Sequence, residues 1–471
     1  MKVLLVNPPI TAIHGHIPPL GLMCIASNLE KNGIDVEIFN RKEIKSYEDY
    51  KSVLLEHINL THPDLIGFTC YLGDVSDIKE LCVGIKKIKD IPIVVGGFHP
   101  SYAPQEFLGY ADYVCIGEGE ITVLELAKSI ENNTPITDVQ GISVLKHSVK
   151  YTEPRPLADL DTLPPPAYHL IDMSYYTRLT DGILRGVLVS CGTLYTSRGC
   201  PYHCTFCPKQ HFLGPQRLIN AKKAVDEMEI LIKKYKVNAI YFLDETFTIN
   251  KQHVYEICDE IDKRGIKIIW GCDTRANLLS EDLLLRMKKS GCIQVDFGLE
   301  SGVERVLKIL KKGVSLQQAK DTLEMCRKNG VRTLANYMTN IPTETVQERE
   351  ETIRFAKEIN ADRLIYNIFV PFPGCEIVEK YNISVTEKDY PYLNTLKQNA
   401  TLKYVTENYN FTPDHKDLDE LAREAIFRIG HRRLYPFIMN WIYVKNIVIG
   451  NRKIEYLKWT INKGLNVIKI K

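Results

Sequence analysis

The chain contains two series of short apolar strands that alternate with amphipathic helices. In the first part of the chain we predict strands at 3–6, 36–39, 65–68, 93–95 and 113–116, and helices that include 20–31 and 47–60. Continuously apolar strands are buried on both faces, so the pattern predicts a parallel, doubly wound sheet. In such sheets, ligands bind at the carboxyl ends of the strands.

A second alternating series follows. We predict strands at 186–189, 239–243, 266–270, 293–298, 331–338 and 363–370, and helices that include 221–235, 251–263, 281–289 and 344–360. Gly265, Gly291 and Gly330 stand where helices should stop. Six such units predict a partial or complete β/α barrel, with its chemistry at the carboxyl ends of the strands.

The predicted fold class is therefore α/β, with several domains in 471 residues. A Rossmann-like domain covers 1–135, a linker 136–185 and a partial (β/α)6 barrel 186–380. The linker is predicted from its prolines, which include the run 164–166. The alternation then fades, so 381–471 is predicted to be mostly helical.

Cysteine usage and charge narrow the class further. Met1-Lys2 leads directly into an apolar strand, and no apolar run reaches the roughly 20 residues of a membrane span. We therefore expect a cytosolic protein whose 13 cysteines are reduced. A net charge of +2 gives no field that would favour nucleic acid. Isolated cysteines predicted to be small buried apolar residues are Cys24, Cys82, Cys115, Cys258, Cys292 and Cys326.

One group of cysteines is spaced like a ligand set. Cys200, Cys204 and Cys207 form C-x3-C-x2-C shortly after a predicted strand, so they should lie on a loop at the mouth of the barrel. Three thiolates suit an iron–sulfur cluster that keeps one iron open for catalysis. The alternative is a zinc site completed by His203 or His211. Zinc is disfavoured because the chain has no second C-x2-C pair.

The cysteine spacing resembles that of the radical S-adenosylmethionine (SAM) superfamily, and the predicted barrel is similar too. The resemblance implies that a [4Fe-4S] cluster on the three cysteines binds SAM and cleaves it to a 5′-deoxyadenosyl radical. It also implies that further positions contact SAM. These are Asp244 and Glu245 at the amine, Arg275 at the carboxylate, Glu300 and Ser301 near the ribose, and Phe206 near the adenine.

Each of these positions also has an ordinary interpretation, since a lone Arg or Glu at a strand end is usually solvated or ion-paired. Their occurrence in series favours the functional one. The chain departs from the family at 340–345, where Asn340 and Thr343 replace the glycines of a Gly-x-Pro-Gly-Glu-Thr turn. We still expect Thr343-Glu344 to open the next helix. The turn at 371–374 matches the family.

The first domain resembles the cobalamin-binding domain that precedes many radical SAM barrels. The matching elements are 7–9, 18–21, 96–100 and 117–120, and with the barrel the resemblance covers roughly residues 1–380. It implies that cobalamin contacts Gly96, Gly97, Gly117, Glu118 and Gly119. The chain has no Asp-x-His-x-x-Gly motif, whose histidine would bind cobalt. We therefore expect His14, His16 and His99 to be surface or turn residues.

The resemblance implies a cobalamin-dependent methyltransferase that acts on an unactivated carbon of a small or lipid-like substrate, with an external electron donor. A cyclase or rearrangement enzyme without methyl transfer is the alternative. A methylthiotransferase, with a second cluster on Cys24, Cys70 and Cys115, is disfavoured because Cys24 lies inside a predicted helix. The cysteine triad argues against a non-catalytic sensor.

The end of the chain is basic and aromatic. From Arg428 onward it carries 10 basic residues and a single acidic one, Glu455, interleaved with aromatic residues such as Trp441 and Trp459. Peripheral contact with a membrane or a lipid-like substrate is one hypothesis. We favour a helical cap whose aromatic side chains pack on the barrel.

Overall fold

A computed structural model describes most of the chain and divides it into two compact units. The described residues are 1–8, 17–44, 46–144, 148–208, 212, 214–393, 404–405, 407–409 and 411. The first unit comprises 1–173, 199–217 and 370–410, and the second comprises 174–198, 218–369 and 411–471. Most of the predicted helical segment, its basic aromatic end, His14, His16 and His211 lie outside the described residues.

The first unit contains a seven-stranded sheet in the order β2-β1-β3-β4-β5-β6-β7. Its first five strands are parallel, whereas β6 and β7 extend the edge in antiparallel pairs. The strand order reverses between β1 and β3, which marks the topological switch point of a doubly wound sheet. The strands are β1 Lys2–Val6, β2 Asp35–Phe39, β3 Leu65–Thr69, β4 Ile93–Gly96, β5 Tyr113–Cys115, β6 Ile142–Val144 and β7 Lys150–Tyr151.

The second unit contains a seven-stranded sheet in the order β8-β9-β12-β13-β14-β15-β16. From β9 onward the strands are parallel and follow chain order, and only β8 is antiparallel. This is an open half-barrel of six β/α units, as predicted. The strands of this sheet are β8 Leu179–Thr180, β9 Val189–Leu194, β12 Ala239–Phe242, β13 Ile269–Thr274, β14 Cys292–Glu300, β15 Arg332–Thr339 and β16 Arg363–Ile368. Two short strands, β10 Ser197–Arg198 and β11 Arg217–Leu218, pair with each other in a separate sheet.

The helices begin and end where the sequence supplies caps. Ser315 forms a capping box with Gln318, and Gly265, Gly291 and Gly330 end helices with positive φ, as predicted. The helices are α1 Leu20–Lys31, α2 Tyr47–Thr61, α3 Val75–Ile88, α4 Phe98–Tyr102, α5 Gly119–Asn132, α6 Met173–Tyr176, α7 Ala221–Tyr235, α8 Lys251–Lys263, α9 Glu281–Lys289, α10 Glu304–Ile309, α11 Leu316–Lys328, α12 Val346–Ile359 and α13 Glu376–Lys380.

The segment predicted to be a linker has regular structure. β6 and β7 join the first sheet and β8 joins the second, all within 136–185. Residues 183–189 then fill the base of the half-barrel, where Leu184 and Val187 pack with Cys191, Ala239 and Ile269 in an apolar floor. The interior of the second sheet is therefore apolar at its base, and its polar side chains lie further along the strands.

Candidate functional site

The loop that carries the three cysteines is closed at its base. It begins after β10 at Gly199, whose φ of +96° suits glycine. A Cβ at Gly199 would lie 2.2 Å from the carbonyl oxygen of Pro215, so any side chain would clash. The Cys200 N–H donates to the Gly214 carbonyl at 3.3 Å. The two ends of the loop therefore touch.

The cysteines themselves are partly accessible. Cys204 is buried, and Cys200 and Cys207 are half-buried. In the part of the chain that the structure describes, no three His, Cys, Asp or Glu side chains are gathered around a single-ion site. The donor set itself, three thiols on one short loop, suits a larger cluster, whose sulfur ligands stand farther apart than those of one ion.

Asp244, predicted to contact SAM, holds the strand that leads into this loop. Its Oδ2 accepts the Thr196 N–H at 3.0 Å, and its Oδ1 accepts the hydroxyls of Thr196 at 2.8 Å and Ser197 at 2.5 Å. Burial raises the pKa of Asp244 to about 6, although these hydrogen bonds oppose the shift. Asp244 thus has a structural role. The adjacent Glu245 is half-buried.

A second anchor, which the sequence analysis missed, comes from the start of α13. The Ile377 N–H donates to the Thr205 carbonyl at 3.0 Å, and the Cys375 thiol donates to the Phe206 carbonyl at 3.3 Å. Burial raises the pKa of Cys375 to about 12, so it stays a neutral thiol. These bonds fix the backbone beside Phe206, a half-buried side chain for which contact with adenine stays a prediction. The turn at 371–374, which matches the family, was the sequence feature that could have indicated this anchor.

Glu300 ends β14 in an unusual conformation. Its φ is +66°, and the register shifts between Gly298 and Glu300. The Lys312 ammonium donates to Glu300 Oε1 at 2.9 Å, and both side chains are largely buried. Gly298 makes room for this pair, because a Cβ there would lie 2.5 Å from Glu300 Oε1. The carboxylate predicted near the ribose is therefore ion-paired.

Arg275 and Ser301 are also held by the protein. Arg275 follows β13 and is buried, and a Cβ at Gly313 would lie 3.5 Å from its guanidinium. The Ser301 hydroxyl is 3.1 Å from Thr352 Oγ1 and accepts the Val303 N–H at 3.2 Å. Both lie at or just beyond strand ends, as predicted, and their contacts with SAM stay predictions.

The turn at 340–345 corrects one expectation. Asn340 and Thr343, which stand where the family has glycines, both have a positive φ, +60° and +71°. Helix α12 begins after Thr345, whose hydroxyl accepts the Glu348 N–H, so Thr343-Glu344 does not cap it. Glu344 instead accepts the Asn340 N–H at 2.8 Å. The turn needs the backbone conformation more than it needs glycine.

The predicted cobalamin-binding glycines fall into two kinds. At Gly97, with φ +114°, a Cβ would lie 2.7 Å from the Cys70 carbonyl oxygen. At Gly119 a Cβ would lie 2.7 Å from Ile25. Gly97 is therefore required by the backbone of the protein itself, whereas a side chain at position 119 would need a shift of the Ile25 side chain. Around a Cβ at Gly117 no atom lies within 4 Å, so this position offers the open approach that a bulky ligand needs.

Glu118 is held by a bidentate ion pair. Its oxygens accept from Arg217 at 2.6 and 3.0 Å, and Arg217 also donates to the Ala158 carbonyl at 2.8 Å. Arg217 lies at the far end of the cysteine-bearing segment, within the first unit. The sequence analysis missed this partner, because the two residues are 99 positions apart. Glu118 therefore positions that segment.

Aromatic side chains also stand at the carboxyl edge of the first sheet. Phe98, just after β4, lies 6.0 Å from Tyr71, which follows β3, and 4.4 Å from Phe212, centroid to centroid. Sequence analysis did not select them, because single aromatic residues in loops carry no motif. They form a surface on which a large planar ligand can pack.

The other candidates in the first unit are buried. His99 was expected to be a surface or turn residue, but it is buried, and its Nε2 lies 2.8 Å from Glu106 Oε2. Burial raises the pKa of Cys115 to about 12, and raises that of Cys70 well above its usual range. Cys24 is half-buried in α1.

Comparison with known proteins gives two family matches. The Radical SAM superfamily model matches residues 194–356, and the B12 binding domain model matches residues 7–127. An uncharacterized methyltransferase of Pyrococcus horikoshii is 32% identical over 392 residues, 80% of this chain and 83% of that protein. The anaerobic magnesium-protoporphyrin IX monomethyl ester cyclase of Rubrivivax gelatinosus is 27% identical, over 94% of this chain and 79% of that protein.

Solved structures share the fold. The radical SAM methyltransferase TsrM of Kitasatospora setae, with tryptophan and a SAM analogue bound, superposes with a TM-score of 0.69 at 20% identity. The match covers 80% of this chain and 74% of that one. The chain belongs to the radical SAM superfamily. Its B12-binding domain places it among the cobalamin-dependent enzymes of that superfamily, whose cofactors are a [4Fe-4S] cluster, SAM and cobalamin.

Proposed function

We propose that the protein is a methyltransferase that transfers a methyl group to an unactivated carbon of a small molecule. The observation that carries the proposal is the closed three-cysteine loop after the first parallel strand of the half-barrel, in a chain that also has a B12-binding domain. The methyltransferase relatives support this reaction.

Several residues of this chain would bind the cluster and SAM. Cys200, Cys204 and Cys207 would hold three irons of the cluster and leave the fourth for SAM. When bound, the cluster supplies the electron that cleaves SAM, and cobalamin supplies the methyl group. Arg275 would pair with the SAM carboxylate. Glu245 suits the SAM amine better than Asp244, whose oxygens already accept hydrogen bonds from Thr196 and Ser197.

The remaining predicted contacts would complete the two cofactor sites. Glu300 and Ser301 would face the ribose, and Phe206 would pack on the adenine. Cobalamin would lie along the carboxyl edge of the first sheet, where ligands of doubly wound sheets bind. Gly117 would allow its close approach, and Phe98 would offer an apolar surface. The other cobalamin contacts predicted there are Gly96, Gly97, Glu118 and Gly119.

The proposal is tested on anaerobically purified protein with reconstituted cluster and added cobalamin, SAM and a chemical reductant. We expect 5′-deoxyadenosine together with S-adenosylhomocysteine, because one SAM supplies the radical and another the methyl group. The Cys204→Ala protein should form neither, and the matched Cys326→Ala protein, changed at a buried thiol, should form both. Absence of 5′-deoxyadenosine from the wild type would exclude a radical enzyme.

A cyclase without methyl transfer is the second candidate, because the cyclase relative matches 94% of this chain. It predicts 5′-deoxyadenosine without S-adenosylhomocysteine in the same assay.

Among the described residues no helix has the length and apolarity to cross a membrane. We retain as proposals a cytosolic location, an external electron donor, and contact of the segment after Arg428 with a lipid-like substrate or a membrane surface.

A further inference from the structure

A hydrogen-bonded column of polar side chains crosses the interior of the half-barrel. Arg332 on β15 donates to Gln294 Oε1 at 2.5 Å, and Gln294 on β14 donates to Asp296 Oδ1 at 2.8 Å. The Tyr241 hydroxyl on β12 then lies 3.0 Å from Asp296 Oδ2 and 3.0 Å from Asp273 Oδ2 on β13. The column ends at Asp273, which is half-buried near the carboxyl end of its strand.

The column holds one more proton than its hydroxyl supplies. Tyr241 has a single hydroxyl proton and can donate it to only one of the two carboxylates. The second 3.0 Å contact is favourable only if one carboxyl is protonated and donates back to Tyr241. Burial and the neighbouring Asp273 raise the pKa of Asp296, and Arg185 opposes the shift. Asp273 is the accessible end of this arrangement.

A second, independent observation comes from the neighbouring strand. Thr193 on β9 pairs in register with Tyr241, so the two side chains project from the same face of the sheet. Thr193 is buried, and its hydroxyl has no hydrogen-bond partner within the described ranges. A buried hydroxyl without a partner is unfavourable, because it has lost its hydrogen bonds to water, so it indicates an atom that the polypeptide does not provide.

These side chains lie one level below the proposed SAM contacts. Arg275 is two residues beyond Asp273, and in an extended chain such residues share a face. Likewise Gly298 lies two residues beyond Asp296, and the Glu300 carboxylate folds over Gly298. Below the polar level is the apolar floor of the half-barrel.

We propose that Thr193 and Asp273, supported by Tyr241 and Asp296, form the polar end of the substrate site and take a hydroxyl or ammonium group of the substrate. The carboxylate of Asp273 accepts hydrogen bonds, and the Thr193 hydroxyl can accept or donate. An anionic substrate group is disfavoured at this position, because Asp273 would repel it and the neighbouring cations already interact within the protein, Arg332 with Gln294 and Arg185 with Asp296. The inference rests on the proposed function, since it assigns a substrate class to the same half-barrel.

The test uses small probes on the full-length, cluster-reconstituted protein with SAM and cobalamin bound. Fluoroethylammonium, fluoroethanol and fluoroacetate are titrated by ligand-observed fluorine NMR. We expect the first two to bind and the anion not to bind. Thr193→Val and Asp273→Asn should each weaken binding about 10-fold or more, the usual loss for a buried hydrogen bond to a charged or unpaired group.

Two surface variants serve as matched controls, Thr61→Val on α2 and Asp282→Asn on α9, and both should bind the probes as the wild type does. Circular dichroism and iron content establish that each variant is folded. Should Asp273→Asn fail to fold, Thr193→Val decides alone, because valine has the shape of threonine without its hydroxyl. Binding that neither variant weakens, or no binding to the wild type, overturns the inference. Formation of 5′-deoxyadenosine by the wild type tests the proposed function separately.

Discussion

The carboxyl edges of the two sheets are built differently. At the first sheet, Gly97 is required by close packing against the Cys70 backbone, Gly119 leaves room for the Ile25 side chain, and Phe98 adds an aromatic surface. At the second sheet, charged side chains cluster at the strand ends and are held by ion pairs and hydrogen bonds, such as Glu300 with Lys312. Apart from the Glu118–Arg217 ion pair, the first edge is shaped mainly by close backbone packing, and the second mainly by charge.

At both edges, motif residues also have structural roles in the protein alone. Asp244 and Glu118 both resemble cofactor contacts, yet each holds the cysteine-bearing segment, Asp244 at its start and Glu118 through Arg217 at its end. Motif residues at both edges therefore build the site as well as line it. The variants below test whether charge at one edge and shape at the other have these separate roles.

The largest effect is expected from the loop cysteines. Cys204→Ala should lower the iron content and abolish 5′-deoxyadenosine formation, because two thiolates cannot hold the cluster with one open iron. Cys82→Ala, at a buried thiol of the first unit, should retain both. Iron assay and product chromatography give the two readouts. Equal losses in the two variants would contradict the distinction between ligand and packing cysteines.

Removing the charge of Asp244 should have the next largest effect. Asp244→Asn replaces an acceptor of three hydrogen bonds by an amide whose NH2 faces donors, so stability should fall by about 2–3 kcal/mol. Denaturant unfolding of the cluster-free protein measures this change. Asp35→Asn, at an exposed position of β2, should change stability by less than about 0.5 kcal/mol. An Asp244→Asn protein as stable as the wild type would refute the anchoring role.

At the first sheet, the corresponding test concerns shape. Phe98→Ala removes the central ring of the aromatic surface, and we expect the cobalamin Kd to rise about tenfold. Phe98→Leu keeps part of the apolar volume, so its cobalamin Kd should lie between those of the wild type and Phe98→Ala. Absorbance titration measures the Kd, and Tyr151→Ala, at an exposed aromatic residue, is the control. An unchanged Kd in Phe98→Ala would mean that the aromatic surface does not contact cobalamin.

The charge network inside the second sheet should appear in the pH dependence of stability. The folded-state pKa of Asp296 is raised, so the folded protein binds a proton that the unfolded chain releases near pH 3.9. The contribution of Asp296 to the free energy of unfolding is fully present below that pH. It is lost as pH rises through the folded-state pKa, by at most about 1.4 kcal/mol per pH unit. Asp296→Asn should flatten this slope relative to the wild type in denaturant titrations. Parallel slopes would contradict the raised pKa.

The smallest effect concerns backbone strain at the second sheet. Thr343 is β-branched and has φ +71°, so Thr343→Gly should stabilise the protein by about 0.5–1 kcal/mol. Asn340→Gly should destabilise it instead, because Asn tolerates a positive φ and its Oδ1 accepts the Phe411 N–H at 2.9 Å. Denaturant unfolding compares the two. The same sign for both would refute this account of the turn.

Much of the fold could be predicted from the sequence, because apolar strands and capped helices are local patterns. The helices at 20–31, 221–235, 251–263 and 281–289 are confirmed to the residue. The antiparallel strands β6 and β7 were missed, since strands of two or three residues in a proline-containing segment carry no periodic signal.

Site residues could be selected from the sequence, but their partners could not. Glu300 was chosen by its motif, whereas Lys312 comes to it through a β-bulge and a left-handed turn. Arg217 and Cys375 reach their partners from distant parts of the chain. Hydrogen-bond partners depend on tertiary packing, which a motif does not encode.

The contact between Gly199 and Pro215 has a consequence for engineering. A segment whose ends already touch can be exchanged without moving the scaffold around it, because the cost of closing a loop grows only slowly with its length. The stretch from Gly199 to Pro215 therefore constitutes a cassette. Transplanting the corresponding stretch of a relative into this chain, with both ends kept, would exchange the residues beside the three cysteines and leave the strands of both sheets unchanged.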